Sequence, residues 1–176
     1  MTEENGEIGN DYSMNVAKSW EKALFQIETP KTLKTALRTS IVLGKNGGAF
    51  IPLKRLVQFG LGGKQGNGNQ FISWIHEKDF ARAIQFIIQK EMIGVINVVS
   101  PKPNQNKEFM YELRKVLKIP IGIPTPKLLL KIGAKIIGTE PELVLKSRNV
   151  IPKRLQEIGF EFKFDTLDKT FKNLSS

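Results

Sequence analysis

The chain has 176 residues, 40% of them apolar and 25% charged, which is the composition of an ordinary globular domain with material enough for a core. It has no cysteine and a single histidine, His76, which excludes a disulfide framework, a thiolate nucleophile and metal sites built from Cys or His. The formal charge is +10, yet the lysines are spread over every segment without a basic block, so a solvated surface is expected and nucleic acid is not an expected partner.

Met1 to Asn10 is acidic and polar, the opposite of a signal peptide. The longest apolar run, Leu128 to Ile137, is broken by Lys131, Gly133 and Lys135 and falls short of the roughly 18 residues that span a bilayer. A cytoplasmic protein that does not enter the membrane is expected.

The first element is a helix over Tyr12 to Gln26, with Asp11 as N-cap and Val16, Trp20, Leu24 and Ile27 at the spacing of one buried face. After Pro30, a strand centred on Leu37 to Leu43 carries Ile41-Val42-Leu43, apolar on both faces as in a buried parallel sheet. Gly47-Gly48 is read as opening a second helix that runs to Gln58. Gly60 to Gly68 then holds five glycines in nine residues, which neither a helix nor a central strand tolerates; this is a loop.

Phe71 to Ile75 is the next strand, leading through His76 and Glu77 into a helix from Asp79 to Lys90 striped by Phe80, Ala83, Ile84, Ile87 and Ile88. Asp79 sits where the helix dipole favours an anion. Gly94 precedes a buried strand, Val95 to Val99, and Ser100 to Asn104 forms a turn. A helix carrying Phe109, Leu113, Val116 and Leu117 follows. Leu128, Leu129, Ile132 and Ile136 make a further helical stripe, and Pro141 suits the first turn of another helix. Pro152 does the same for Lys153 to Ile158, stopped by Gly159. Phe160 to Phe164 alternates as an edge strand, and Asp165 caps a last helix with Leu167, Phe171 and Leu174.

From Leu37 to Ser100 the chain resembles the second half of extended short-chain dehydrogenases. More narrowly, it resembles the branch described as epimerase-family proteins with a C-terminal domain of unknown function, sometimes linked to cell-division inhibitors. The motifs that carry the resemblance are Leu37 to Leu43 with Gly47-Gly48, Gly60-Leu61-Gly62-Gly63 through Gln70, and Ser73-Trp74-Ile75-His76-Glu77-Lys78-Asp79. Asn97-Val98-Val99-Ser100-Pro101 and Pro152-Lys153-Arg154-Leu155 with Gly159-Phe160 complete the set. The resemblance implies an α/β fold: the C-terminal portion of an NAD(P)-binding, Rossmann-like extended short-chain dehydrogenase, with few parallel strands and a helix-rich C-terminal part. Residues 1–100 would be the remnant of the Rossmann-like domain and residues 101–176 the substrate-side domain. NAD(P) is the implied cofactor, and a nucleotide sugar or similar small molecule the implied substrate.

Such relatives grip the cofactor's pyrophosphate on a helix N-terminus behind a strand and a Gly-rich turn. The Gly60 to Gly68 loop has the reverse context, following a helix and preceding a strand. The expectation is therefore a truncated fragment that lacks its dinucleotide-binding half, does not hold NAD(P) alone and is not catalytic alone. An uncovered edge on the Ile41 strand would then favour self-association or docking onto a separate upstream Rossmann fragment. The alternative from another class is a non-catalytic protein-interaction module acting through the helical tail. Weak polyanion binding is a third reading.

In the resembled family a tyrosine works with a lysine four positions later, whose cationic charge favours the phenolate. Tyr12 lies on the matching helix, but Val16 holds the fourth position, and Lys18 points roughly 240° around the helix. Thr39 and Ser40 fall beside the implied nicotinamide position. Gly62, Gly63, Asn69, Gln70, Trp74 and His76 fall on the implied substrate side. Each also has a structural reading: Tyr12 as a boundary residue, Trp74 as core, His76 as a backbone hydrogen-bonder at the strand-to-helix junction and Asp79 as a helix-start residue.

Overall fold

The computed structural model of the chain describes residues 1–6, 9, 11–126 and 146–176. Helix α1 spans Tyr12–Gln26, and the Met14 amide donates to Asp11 Oδ1 at 3.1 Å, closing the N-terminus as the Asp preference predicts. The apolar stripe does not become a buried face, since α1 has no buried residue and Trp20 is 72% exposed. What ties α1 to the sheet is polar. Arg38 donates from Nε and Nη2 to the two carboxylate oxygens of Glu21, both at 2.7 Å.

The single strand expected around Leu37 to Leu43 is two, β1 (Thr35–Thr39) and β2 (Ile41–Gly44), divided at Ser40. Next come β3 (Gly47–Gly48), α2 (Phe50–Gln58), β4 (Phe71–Ile72), β5 (Trp74–His76) and α3 (Glu77–Gln89). They are followed by β6 (Gly94–Val98), β7 (Asn104–Gln105) and α4 (Asn106–Leu117). The last two elements are α5 (Lys153–Glu157) and α6 (Leu167–Ser175). β1 runs parallel to β6, from Thr35 opposite Gly94 to Thr39 opposite Val98. β2 runs parallel to β5 and antiparallel to β3, while β4 and β7 form a short antiparallel pair. Gly47 and Gly48 close a tight hairpin instead of opening a helix. Gly48 adopts φ 63°, which a Cβ would resist, and α2 starts only at Phe50.

Two apolar clusters form the interior. One joins Leu43, Phe50, Trp74, Phe109 and Leu113 to Leu167, Phe171 and Leu174 of α6. The other joins Ile75, Ala83, Ile87, Ile96 and Val98 to Leu155 and Phe160. Each such side chain contributes about 1.5–3 kcal/mol on leaving water. Both clusters draw on each side of residue 100; helices and strands interleave up to β7, and the described helices that follow pack into the same two interiors. The expected arrangement of a few-stranded remnant followed by a helix-rich part is corrected accordingly.

Phe160 to Phe164 is not a strand, because its amides are used elsewhere. The Lys163 and Phe164 N–H groups donate to the Asp79 carboxylate at 3.2 and 2.8 Å. The last helix is capped by Thr166, whose hydroxyl accepts from the Lys169 amide, while Asp165 pairs with the Lys169 ammonium at 2.7 Å. The stripe from Leu128 to Ile136 and the helix expected at Pro141 lie outside the described residues. Among the described residues, no helix is long and apolar enough to cross a membrane.

Candidate functional site: the carboxyl ends of the parallel strands

In open parallel sheets, ligands bind beyond the carboxyl ends of the strands, where the connecting loops part. Here those ends belong to β1 and β6, and four hydroxyl residues gather around them. Thr39, the last residue of β1, directs its hydroxyl to the Val98 carbonyl at 3.4 Å. Ser40 follows, with its Oγ buried and without a hydrogen-bond partner. Beyond β6, Ser100 is 2% exposed and its Oγ is likewise unpartnered. Its amide donates to the Trp74 carbonyl at 2.6 Å, binding the end of β6 to the start of β5. Ser73, the residue before β5, donates from Oγ to the Arg148 carbonyl at 2.7 Å and accepts from the Val150 amide at 3.0 Å.

A buried hydroxyl left without a partner costs about 1–3 kcal/mol. Two of them at the end of one strand pair are therefore an unmet demand for a polar group. The hydroxyls and carboxamide of a nicotinamide riboside have the donors and acceptors to meet it, so the residues present fit that part of a dinucleotide.

The glycine loop stands on the α2 and α4 side. Its backbone pairs with a second loop, the Gly63 amide donating to the Ile123 carbonyl and the Ile123 amide to that of Gly60. A Cβ on Gly63 would lie 2.5 Å from the Gly122 carbonyl oxygen, and one on Gly62 would meet Arg114 at 2.8 Å. Gly62 and Gly63 thus serve close backbone packing within the protein. Gln70, 8% exposed, donates from Nε2 to the Gln65 carbonyl; Gln65 and Asn106 exchange two further bonds, at 2.7 and 2.9 Å. Asn69 is exposed and accepts from the Lys107 ammonium at 3.4 Å.

The remaining candidates are not brought to one place. Trp74 is fully buried, its indole N–H donating to Asn104 Oδ1 at 3.1 Å. His76 is fully buried at the far end of β5, stacked on Phe164 at 3.8 Å between ring centres. Its Nδ1 accepts from the Lys78 amide, which leaves Nε2 to donate to Asn173 Oδ1 at 3.1 Å, and burial lowers its pKa. Tyr12 is 84% exposed at the start of α1, with Val16 one turn on. Among the described residues, no group of three or more His, Asp or Glu could hold a metal ion. Reasoning from sequence missed Ser73, Ser100 and Asn97.

The model for a "Domain of unknown function (DUF1731)" matches residues 125–174. The chain is 35% identical over 164 residues to a chloroplastic epimerase family protein SDR39U1 homolog of Arabidopsis thaliana, covering 92% of this chain and 46% of that protein. It is 32% identical to an epimerase family protein of Staphylococcus aureus (strain MRSA252), covering 94% of this chain and 55% of that protein. The chain thus spans about half the length of these curated relatives.

Among solved structures it is similar to the human epimerase family protein SDR39U1 (isoform 2) with NADPH. The TM-score is 0.88 at 28% identity, over 99% of this chain and 59% of that one. A nucleoside-diphosphate sugar epimerase from Corynebacterium glutamicum matches with a TM-score of 0.72 at 25% identity, over 98% of this chain and 33% of that one. The expectation of a helix-rich, non-catalytic remnant is corrected by these matches, since 99% of the chain superposes on an NADPH-bound epimerase family structure. The expectation of self-association or of docking onto a separate upstream fragment, drawn from an uncovered edge on the Ile41 strand, is corrected as well, because β2 is paired on both sides, by β3 and by β5. Nearly every residue of the chain has its counterpart in the fold of an NADPH-bound protein.

Proposed function

We propose that this chain acts in NAD(P)-dependent epimerase- or dehydratase-like chemistry on a nucleotide sugar or a related small molecule, with the crevice beyond β1 and β6 as its ligand-facing wall. The observation that carries this reading is the superposition of 99% of the chain on a structure holding NADPH. The orphaned Ser40 and Ser100 hydroxyls support it, because they supply donors and acceptors where such a fold receives its ligand. When bound, the nicotinamide supplies hydride transfer. Thr39, Ser40 and Ser100 orient it, and Asn69 and Gln70 stand on the substrate side. Tyr12 has no lysine one turn on to favour its phenolate, so this reading gives it no proton-transfer role.

Titration with NADPH, followed by calorimetry and nicotinamide fluorescence, tests the reading. Saturable binding is expected, with Ser40→Ala and Ser100→Ala each weakening it by about tenfold, one hydrogen bond's worth. An absence of saturable binding up to millimolar NADPH would overturn it.

A further inference from the structure

Residues 147–151 run between Ser73 and the end of β6 without belonging to any helix or strand. Side chains and backbone hold them from both sides. On one side the Ser73 hydroxyl bridges the Arg148 carbonyl and the Val150 amide, while the Arg148 amide donates to the Phe71 carbonyl at 2.8 Å and Ser147 Oγ accepts from the Phe71 amide at 3.1 Å. On the other side Asn97 Nδ2 donates to the Ile151 carbonyl at 3.1 Å, and the Ile151 amide donates to the Met1 carbonyl at 3.0 Å.

A single carboxylate joins that second side together. Glu3 Oε1 accepts from the Asn97 amide at 3.0 Å, on the edge of β6 that faces away from β1, and from the Arg154 amide at 3.4 Å. Arg154 completes the same edge, donating from Nη1 to the carbonyls of Ile93 and Val95 at 2.8 and 2.7 Å. Glu3 Oε2 is buried and unpartnered. What links the segment to the crevice is Ser73, whose hydroxyl stands with those of Thr39, Ser40 and Ser100 near the strand ends and is occupied by residues 148 and 150.

We propose that residues 147–151 are a strap across the end of β6, latched by Ser73 on one side and by Asn97 on the other, and that ligand reaches the crevice when this strap releases. The strap's role in ligand entry rests on the crevice being the ligand site. Its mobility does not. No residue of the strap is fully buried and none is among those forming the two cores, and its latches are a few hydrogen bonds worth about 1 kcal/mol each, so it opens without unfolding the cores.

Amide hydrogen exchange on the intact chain tests the opening directly. In the unmodified protein, Val150 and Ile151 should exchange at least about a hundredfold faster than Ile87 and Ile96, which lie in a core. Asn97→Ala and Ser73→Ala should each raise exchange at Val150 and Ile151 by about tenfold and leave Ile87 and Ile96 unchanged. Exchange at Val150 and Ile151 as slow as in the core, or unaffected by both substitutions, would overturn the strap. Stopped-flow mixing with NADPH tests the entry step, and both variants should speed association about severalfold. If exchange responds but association does not, opening is unrelated to entry and the proposal fails. Should the unmodified chain bind no NADPH, the crevice reading fails, and the exchange results still decide whether the strap opens.

Discussion

His76 has no exposed surface, yet it is held by polar contacts at both ring nitrogens. Nδ1 must stay unprotonated to accept the Lys78 amide, so a second proton breaks the cap of α3 and places a charge beneath Phe164. Burial lowers its pKa; the Asn173 bond and the nearby Asp79 and Glu77 carboxylates offset this in part, and Lys78 adds to it. With the folded value below the unfolded one, the unfolded chain takes up the proton first. Stability is then full above the ordinary histidine value of about 6.5 and is lost as pH falls towards the folded value. The unfolding free energy from urea titration should drop from pH 7 to pH 5, and the midpoint with it, by no more than about 1.4 kcal/mol per pH unit, one proton's share. His76→Asn keeps a capping acceptor but cannot titrate, and its midpoint should stay flat over that window. The salt-bridged carboxylates of Glu21 and Asp165, whose values are lowered, cost stability only at more acid pH. Equal slopes for the two proteins would show that His76 is not the titrating group.

At the scale of elements, the C-terminal segment is fastened to α3 by one side chain. The Asp79 carboxylate is fully buried and receives the Lys163 and Phe164 amides together with Arg82 Nη1 at 2.6 Å. Asp79→Ala removes the shared acceptor of two part-buried amides and the Arg82 guanidinium, and should cost about 2–3 kcal/mol in chemical denaturation, with the loss localised by exchange to residues 160–165. Asp79→Asn keeps one acceptor and should cost less. A loss under 1 kcal/mol for the alanine variant would mean that the aromatic contacts of Phe160 and Phe164 suffice.

The same fastening shows why part of the fold was not legible. Phe160 to Phe164 alternates like a strand, but alternation reports which side chains turn inward and not where the amides find acceptors. The acceptor here lies on a helix 84 residues away in the chain. By contrast, the starts of α1 and α5 and the strands around Ile41 and Ile96 were legible, because caps, prolines and apolar runs act within a few residues. Thr39 and Ser40 could be placed from a resemblance at a strand end. Ser73 and Asn97 could not, because their roles exist only once residues 147–151 fold back onto them.

Across the whole molecule, stability is unevenly shared, and α1 lies at the weak end. β2, β5, α3, α4, α5 and α6 all contribute side chains to the two cores, whereas α1 contributes none. Leu24 and Phe25 are 38% and 42% exposed, and Phe25 shares an open groove with Ile27, Leu33 and Ile93. A helix of 15 residues is marginal without packing, so the Glu21–Arg38 pair and the Lys146–Asp11 contact carry a large part of its attachment. The two tryptophans report on this separately, since Trp20 is 72% exposed on α1 and Trp74 is fully buried in a core. Arg38→Ala removes a bidentate pair worth about 1 kcal/mol. It should accelerate amide exchange throughout α1 by about fivefold, make Trp20 still more open to acrylamide quenching, and leave both Trp74 and the amides of α4 as they were. If α1 amides in the unmodified chain are as protected as those of α4, the helix is part of the cooperative unit, and this division of the molecule is wrong.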